Sequence, residues 1–229
     1  MSVVLRVSRL SARRGRRDVL RDVAFSVLDR EILGVIGPNG AGKTTLFECV
    51  AGVLPRTSGT IDGEPLFYVP DAIRPWPDQT VRWTLELNAR MFGARADASL
   101  LDALDLTQLL DQTTASLSKG EAKRLNIALG LSVPRPILFL DEPFDGLDFR
   151  QTRHAIDVLK GVVRGSAAPS EGALEAHTTR RTLVLSIHQL SDAARVCDRF
   201  LLLDHGRIVG EGTLDELGGN LEEAFLART

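Results

Sequence analysis

The chain has 229 residues, of which 44% are hydrophobic and 25% charged. This length and composition are typical of one large or two small globular domains, and they exclude a disordered chain or a mini-protein. The 28 Lys and Arg residues nearly balance 30 Asp and Glu residues, which leaves a formal net charge of −2. No overall positive field therefore points to nucleic acid or to anionic lipid.

The apolar runs at 32–36, 137–140 and 200–203 are only four or five residues long, whereas a membrane-spanning helix needs about 20. Arg6 interrupts the apolar stretch at the start, which argues against a signal peptide. Two cysteines, Cys49 and Cys197, are too few for a disulfide framework or a metal site. We therefore expect a cytoplasmic protein.

The first 30 residues carry a local excess of positive charge, with eight Arg against three Asp. Alternating apolar and polar residues at 3–7 and 23–27 predict two strands of a small antiparallel sheet. We interpret the arginines as the solvated face of this hairpin. A phosphate-binding or lipid-binding patch is the alternative interpretation.

A buried strand predicted at Ile32–Ile36 runs into a glycine-rich segment, and a helix is predicted at 44–51. The segment matches the phosphate-loop pattern G-x-x-x-x-G-K-[ST] in the expected place between a strand and a helix. The predicted nucleotide contacts lie here: Gly37, Pro38, Asn39, Gly40, Ala41, Gly42, Lys43, Thr44 and Thr45.

The residue types of this loop suit phosphate chemistry. Glycines let backbone N–H groups turn inward around an anion, and the helix N-terminus adds positive potential. Lys43 would contact the β- and γ-phosphates, and the Thr44 hydroxyl would ligate Mg²⁺. A plain glycine turn, the alternative, would not require Lys followed by Thr.

Further along, apolar spacing predicts helices between 80 and 130, strands at 137–140 and 183–187, and a helix at about 151–163. This alternation predicts an α/β fold with a mostly parallel core sheet. Asp141 and Glu142 end the first of these strands, at the edge where ligands bind. Asp141 would hold Mg²⁺ directly or through water, and Glu142 would act as general base toward a water molecule.

Two later segments carry weaker signals. Residues 164–181 lack periodicity and are predicted to form an exposed, flexible insertion. Within it, His177 has no Cys, Asp or second His at the spacing of metal ligands, so we interpret it as a solvated side chain. The capping-box spacing at 213–216 predicts the start of a last helix.

Ser118 and Glu121 have the same capping-box spacing, and a well-capped helix would be a sufficient interpretation of them alone. The order of the motifs along the chain is more informative about function than this spacing. The phosphate loop, Leu117-Ser118-Lys119-Gly120-Glu121, the Asp-Glu strand, Asp145-Gly146-Leu147-Asp148 and Ser186-Ile187-His188 follow one another. In this order, over about residues 3–217, the chain resembles the nucleotide-binding subunit of an ATP-binding cassette (ABC) transporter.

The resemblance implies a single P-loop NTPase domain over 1–229, with an N-terminal antiparallel subdomain and a helical subdomain inserted at about 72–134. It implies an ATPase that uses Mg²⁺ and converts ATP and water to ADP and phosphate. Two such domains, as a homodimer or a heterodimer with a similar ATPase, would enclose two ATP molecules. They would drive separately encoded transmembrane permease subunits at the inner face of the cell membrane, with no nucleic acid as a partner.

The resemblance also assigns roles to individual residues. The signature residues would face the ATP bound by the opposite chain: Ser118, Lys119, Gly120 and Glu121. Asp148 would link the two sites across the dimer. His188 would sense the γ-phosphate, although a satisfied core histidine is the alternative interpretation.

Three positions depart from the family pattern. Arg14 falls where an aromatic ring usually stacks on adenine, and a planar guanidinium can lie over a purine instead. Asp71 replaces a Gln and would still reach metal or water. The third departure is in the signature, which has Lys119 at its second position and Glu121 at its last. This Leu-Ser-Lys-Gly form, together with the carboxylate of Asp71, resembles the ABC-2 branch, whose members are mostly exporters. Trp76 and Trp83 lie where the family docks a helix of its membrane partner, or else are ordinary core residues.

Two other functions remain open. A single-domain ABC protein could act as an assembly or scaffold factor without a membrane partner. A nucleotide or small-molecule kinase would also use a phosphate loop, but it would leave Ser118, Gly120 and His188 without a purpose.

Overall fold

The computed structural model describes residues 2–71, 73, 75–93, 98–165 and 181–228. The strands are β1 (Val3–Arg14), β2 (Arg17–Leu28), β3 (Ile32–Ile36), β4 (Arg56–Gly63), β5 (Leu66–Val69), β6 (Ile137–Asp141), β7 (Thr182–Ile187), β8 (Arg199–Asp204) and β9 (Arg207–Gly212). The helices are α1 (Lys43–Val50), α2 (Val81–Phe92), α3 (Ala98–Ala103), α4 (Lys119–Ser132), α5 (Phe149–Arg164), α6 (Leu190–Val196) and α7 (Leu221–Leu226).

The N-terminal strands form the smaller sheet, in the antiparallel order β2-β1-β4. Its apolar side chains point into a core shared with α1, where Leu10, Val27 and Phe47 are fully buried. The predicted antiparallel hairpin is confirmed and is longer than expected, while β4 was not predicted.

The larger sheet has the order β5-β6-β7-β3-β8-β9, and all its strands are parallel except β9, which returns antiparallel to β8. Every residue of β3, β6 and β7 is buried. Predominantly apolar strands that are buried along their whole length are expected where a parallel sheet is covered on both faces. The predicted mostly parallel core sheet is confirmed.

Helices α2, α3 and α4 lie between β5 and β6 in the chain, together with two short 3₁₀ turns at Thr107–Leu109 and Thr114–Ser116. Their apolar residues, among them Val81, Leu104 and Leu125, join the same buried cluster as Leu138 and Leu140 of β6. The helical segment therefore shares its core with the main sheet.

The prediction of a helix starting at 213 is wrong. Thr213 and Glu216 do exchange capping-box hydrogen bonds, but only a turn follows. Gly218 and Gly219 interrupt it within one turn. The helix α7 begins instead at Leu221, where the Asn220 side chain accepts hydrogen bonds from the backbone N–H groups of the first turn.

Candidate functional site

Three adjacent strands end at the same edge of the larger sheet, in the order β6-β7-β3. The phosphate loop follows β3, Glu142 follows β6 and His188 follows β7. Because parallel strands bring their carboxyl ends together, residues far apart in sequence meet here.

The phosphate loop is shaped by its glycines. A Cβ on Gly37 would lie 2.1 Å from the Leu203 carbonyl oxygen, so only glycine fits against the end of β8. Gly42 has a φ of 112° and directs the chain into α1. The side chain of Lys43 folds back over the loop, where its Nζ donates to the carbonyl oxygens of Gly37 at 2.8 Å and Pro38 at 3.4 Å.

A buried hydroxyl organises the end of β6. Ser186 Oγ donates to Asp141 Oδ1 at 2.5 Å and accepts from the backbone N–H of Glu142 at 2.8 Å. Tyr68 donates to the other Asp141 oxygen at 3.3 Å, and burial together with this carboxylate raises the pKa of the Tyr68 phenol well above its usual range. Asp141 is thus fixed at both oxygens.

Glu142 lies between two partners. Its Oε2 is 2.6 Å from His188 Nδ1, and its Oε1 is 3.5 Å from Lys43 Nζ. Its backbone φ is 49°, in the left-handed region that costs a non-glycine residue energy. Because an ionised carboxylate only accepts hydrogen bonds, the contact places a proton on His188 Nδ1. Nε2 has no hydrogen-bond partner within the described ranges.

The residues at this edge fit Mg²⁺ in the way nucleotide sites usually hold it. Thr44 is exposed at the start of α1, and each Asp141 oxygen keeps a lone pair beyond the one used by its hydroxyl donor. Among the described residues no three His, Cys, Asp or Glu side chains cluster tightly enough to hold a metal by themselves. Mg²⁺ typically takes only one or two carboxylates and completes its shell with phosphate and water.

A cavity of about 620 Å³ opens beside the loop. Its lining includes Lys43, Thr44, Thr45 and Glu142, and also Arg14. The Arg14 guanidinium is held by Glu48 and by the Thr45 hydroxyl, 3.0 Å from its Nε. The structure therefore places Arg14 beside the predicted nucleotide contacts.

The signature residues lie at the N-terminus of α4. Ser118 Oγ accepts from the Glu121 N–H at 3.3 Å, and Glu121 accepts from the Ser118 N–H at 2.8 Å, so the predicted capping box is confirmed. This hydrogen bonding holds the pKa of Glu121 below its usual value. In the described part of the chain, no hydrogen bond or ion pair joins these four residues to the phosphate loop.

Lys119 and Gly120 contact the loop that follows Glu142. Lys119 Nζ donates to Asp145 at 2.6 Å, and this ion pair raises the pKa of Lys119 and lowers that of Asp145. A Cβ on Gly146 would lie 2.7 Å from the Lys119 side chain, so the lysine stem packs closely over that glycine. The start of α4 and this loop form one packed unit.

Two other predicted site residues have partners that the sequence did not indicate. Asp148 caps α5: its side chain accepts from the Gln151 N–H at 2.8 Å, and Gln151 accepts in return. Asp71 accepts from the buried Lys123 Nζ at 2.5 Å. Asp71 thus neutralises a buried lysine on α4, and its role toward metal or water stays a prediction.

Sequence reasoning missed the parts played by Ser186, Tyr68 and Lys123. Ser186 carried a usable signal, because it is a hydroxyl one residue before the carboxyl end of a buried strand, directly after the apolar run 183–185. Lys123 carried none, since its partner lies 52 residues away. The predictions of a solvated His177 and of a flexible insertion concern residues that lie outside the described ranges, apart from Arg164, Gly165 and Arg181.

Trp76 and Trp83 form an edge-to-face pair with ring centroids 5.8 Å apart, and each is about two-fifths exposed. They are half-exposed surface residues on and before α2. Within the described ranges, the helices are too short and too polar to span a bilayer.

Comparisons with known proteins agree with this architecture. A family described as "ABC transporter" matches residues 20–145. A Nod factor export ATP-binding protein I of Burkholderia orbicola is 33% identical over 87% of this chain and 67% of its own. An ABC transporter ATP-binding protein of Methanocaldococcus jannaschii is 27% identical, over 95% and 80%.

One solved structure, an ATP-binding subunit of an ABC transporter, superposes with a TM-score of 0.84 at 26% identity, covering 98% of both chains. Other relatives are much longer: the chain matches only 13% of the human ATP-binding cassette sub-family A member 6, at 28% identity. The match over more than half of the chain, and the shared fold, show that this chain belongs to the ABC transporter family, as one of its ATP-binding domains.

Proposed function

We propose that this chain hydrolyses ATP and that Glu142 is the general base. The observation that carries the proposal is the position of the Glu142 carboxylate, 2.6 Å from His188 and 3.5 Å from Lys43 at the mouth of the phosphate loop. A carboxylate there can accept the proton of a water molecule that attacks the γ-phosphate.

The other predicted site residues would bind the phosphates and the metal ion. Lys43 now donates to loop carbonyls and would turn its ammonium toward the β- and γ-phosphates when they enter. As the imidazolium, in which both ring nitrogens carry a proton, His188 would donate Nε2–H to the γ-phosphate while its Nδ1–H orients Glu142. Thr44 and Asp141 would hold Mg²⁺, which neutralises phosphate charge when bound.

We further propose that two copies enclose two ATP molecules. The support is geometric: Ser118 and Gly120 sit at a helix N-terminus, which favours an anion, yet they make no described hydrogen bond to their own phosphate loop. A phosphate bound by the facing copy would be the natural ligand. Asp148, at the start of α5, would then lie near the interface.

Membrane-spanning partners, and export as the direction of transport, are proposed from relatives. The 33% identical protein is named for Nod factor export, and a Bacillus subtilis relative, 25% identical, is a linearmycin resistance ATP-binding protein. The half-exposed Trp76 and Trp83 would supply apolar contact area for a partner helix. In this arrangement the chain lies at the inner face of the membrane.

The test is phosphate release from MgATP by purified Glu142→Gln and by the matched control Glu64→Gln, an exposed residue of the small sheet edge. Loss of a general base typically costs about 10² to 10⁴ in rate, so we expect at least a hundredfold loss in the first variant and none in the control. Retention of more than a tenth of the activity would rule out the base assignment. Phosphate release without an added acceptor excludes a kinase.

The same variant tests the assembly. With ATP bound and hydrolysis blocked, Glu142→Gln is expected to run as a dimer in size exclusion and as a monomer without nucleotide. Purification from detergent extracts is expected to bring a multi-spanning protein with the chain. Recovery only with soluble proteins would favour the assembly-factor function instead.

A further inference from the structure

Two lysines on one face of α4 are paired with carboxylates that follow neighbouring strands. Lys119 and Lys123 are four residues apart, which places both on the same side of the helix. Lys123 Nζ donates to Asp71, just beyond the end of β5, and Lys119 Nζ donates to Asp145, just beyond the end of β6. Because β5 and β6 are adjacent and parallel, α4 is joined to two loops at the same sheet edge.

The Asp71–Lys123 pair contains the more deeply buried lysine. The Lys123 side chain is 5% accessible, whereas that of Lys119 is 61% accessible. In the described part of the chain, Asp71 is the one hydrogen-bond and ion-pair partner of Lys123 Nζ, at 2.5 Å. Asp71 itself is 41% accessible, so if it turned away the cost would fall on the lysine. Removing one partner of a buried ion pair is strongly destabilising because the other charge stays buried.

A second polar contact on the same helix fixes the chain at Ile73. Asn126, which is buried one turn further along α4, donates from Nδ2 to the Ile73 carbonyl oxygen at 2.9 Å. Nearer the end of α4, a Cβ on Gly130 would lie 2.6 Å from the Val69 side chain, so the helix also packs tightly against β5. The end of β5, Asp71 and α4 therefore form one packed unit.

Asp71 lies apart from the groups expected to hold Mg²⁺. It is not among the residues that line the cavity of about 620 Å³ beside the phosphate loop, whereas Thr44 and Glu142 are. Its pairing explains this position, since a carboxylate that left Lys123 for a metal ion would leave a buried ammonium unpaired.

We infer that Lys123 is a positioning residue: it holds Asp71 against α4 rather than at the metal ion, and it thereby fixes the start of α4 over the sheet edge. The second part rests on the proposed assembly of two copies, in which Ser118 and Gly120 at that start would meet the phosphate bound by the facing copy. A displacement of about 1 Å can cost about a hundredfold in rate even when its cause lies far from the chemistry. Lys123 would therefore act on the facing site without touching its nucleotide.

The first experiment asks whether Asp71 reaches the metal ion. Asp71→Asn alone would leave the buried Lys123 unpaired, so the variant combines it with Lys123→Met. The measurement is the Mg²⁺ concentration that gives half-maximal binding of a fluorescent ATP analogue, at a protein concentration low enough to keep the chain monomeric. We expect this concentration to stay within twofold of wild type in the double variant and to rise at least tenfold in Asp141→Asn. A rise of more than twofold in the double variant would overturn the inference.

The second experiment asks whether Lys123 positions the start of α4. In the Glu142→Gln background, adding Lys123→Met should raise the Kd of the ATP-driven dimer at least tenfold, because loss of one charge-assisted hydrogen bond costs roughly that factor or more. ATP binding by the monomer should stay within twofold, whereas a general loss of folded protein would weaken both. Lys123→Arg keeps the charge and should restore most of the association.

The matched control is Lys160→Met, the same replacement on α5, which should leave the dimer Kd within twofold. An unchanged dimer Kd in the Lys123→Met variant would overturn the positioning role. Equal weakening by Lys123→Met and by the control would also overturn it.

Urea unfolding separates this inference from the proposed assembly. Asp71→Asn and Lys123→Met should each lower the midpoint urea concentration, and together they should lower it by less than the sum, because the second change removes the charge that the first left unpaired. Additive losses would overturn the pairing. If the Glu142→Gln parent forms no dimer with ATP, the assembly is refuted, while non-additive unfolding and an unchanged Mg²⁺ requirement would still support the hold of Lys123 on Asp71.

Discussion

Removal of the Ser186 hydroxyl should both destabilise the fold and impair the site. This side chain is fully buried and serves two groups, the Asp141 carboxylate and the Glu142 N–H. In Ser186→Ala the N–H loses its acceptor, which costs about 1–3 kcal/mol, and the carboxylate loses a donor worth about 1.5–3 kcal/mol.

Two features reduce that sum. Tyr68 still donates to Asp141, and Glu142 can relax from its φ of 49°, which is itself worth about 1–3 kcal/mol of strain. We therefore expect a loss of about 3 kcal/mol in the free energy of unfolding, equivalent to roughly 6–12 °C in Tm for a chain of this length.

The assay is urea unfolding followed by circular dichroism, with phosphate release on the same samples. Ser132→Ala is the matched control, because Ser132 is also a buried serine but donates only to a carbonyl of its own helix, at 2.7 Å. Relaxation of Glu142 should lower the turnover of Ser186→Ala at least tenfold, since a displacement of about 1 Å at a reacting group can cost about a hundredfold. Equal stability of the two variants, with activity within twofold of wild type, would refute this reasoning.

Two other predictions concern the fold. Arg199→Met should lower the free energy of unfolding in urea by about 3–5 kcal/mol, because it leaves the buried Glu31 carboxylate without the guanidinium that binds it through two nitrogens. The control Arg82→Met removes a similar but exposed contact and should lower it by less than about 1 kcal/mol. Equal losses in the two variants would contradict the role of burial. Burial raises the pKa of Cys49 to about 11 and that of Cys197 above its usual value. At pH 8 the fraction of Cys49 present as thiolate is then about 10⁻³. A disulfide reagent should therefore label neither thiol until urea unfolds the chain. Rapid labelling of both thiols in the native protein would show that they are not shielded.

The sequence predicted those elements whose side chains alone determine their structure. β3 is apolar throughout and β6 and β7 each contain a run of at least three apolar residues, and burial of such runs favours the centre of a parallel sheet. β4 was missed because it contains Gly59 and Asp62, which are disfavoured in strands, and its conformation comes from pairing with β1, about 50 residues earlier.

The candidate site likewise includes some contacts that the sequence predicts and others that it does not. The cluster of Lys43, Glu142 and His188 follows from motifs at strand ends and could be predicted. The Lys123–Asp71 and Lys119–Asp145 ion pairs join residues 52 and 26 positions apart. Such pairs depend on how helix α4 is placed against the sheet, which no local pattern encodes.

The Lys119–Asp145 contact has a consequence for communication between two sites. It fastens the start of α4 to the loop leading to Asp148, so the two segments would shift together when a facing copy engages them. The pair is exposed, with 61% of the lysine and 34% of the aspartate side chain accessible, and exposed pairs weaken with salt over a screening length of about 8 Å at physiological ionic strength. The Glu142 carboxylate is more shielded, at 18%. In the proposed pair of copies, rising ionic strength would therefore weaken the coupling between the two sites before it disturbs the chemistry within either one.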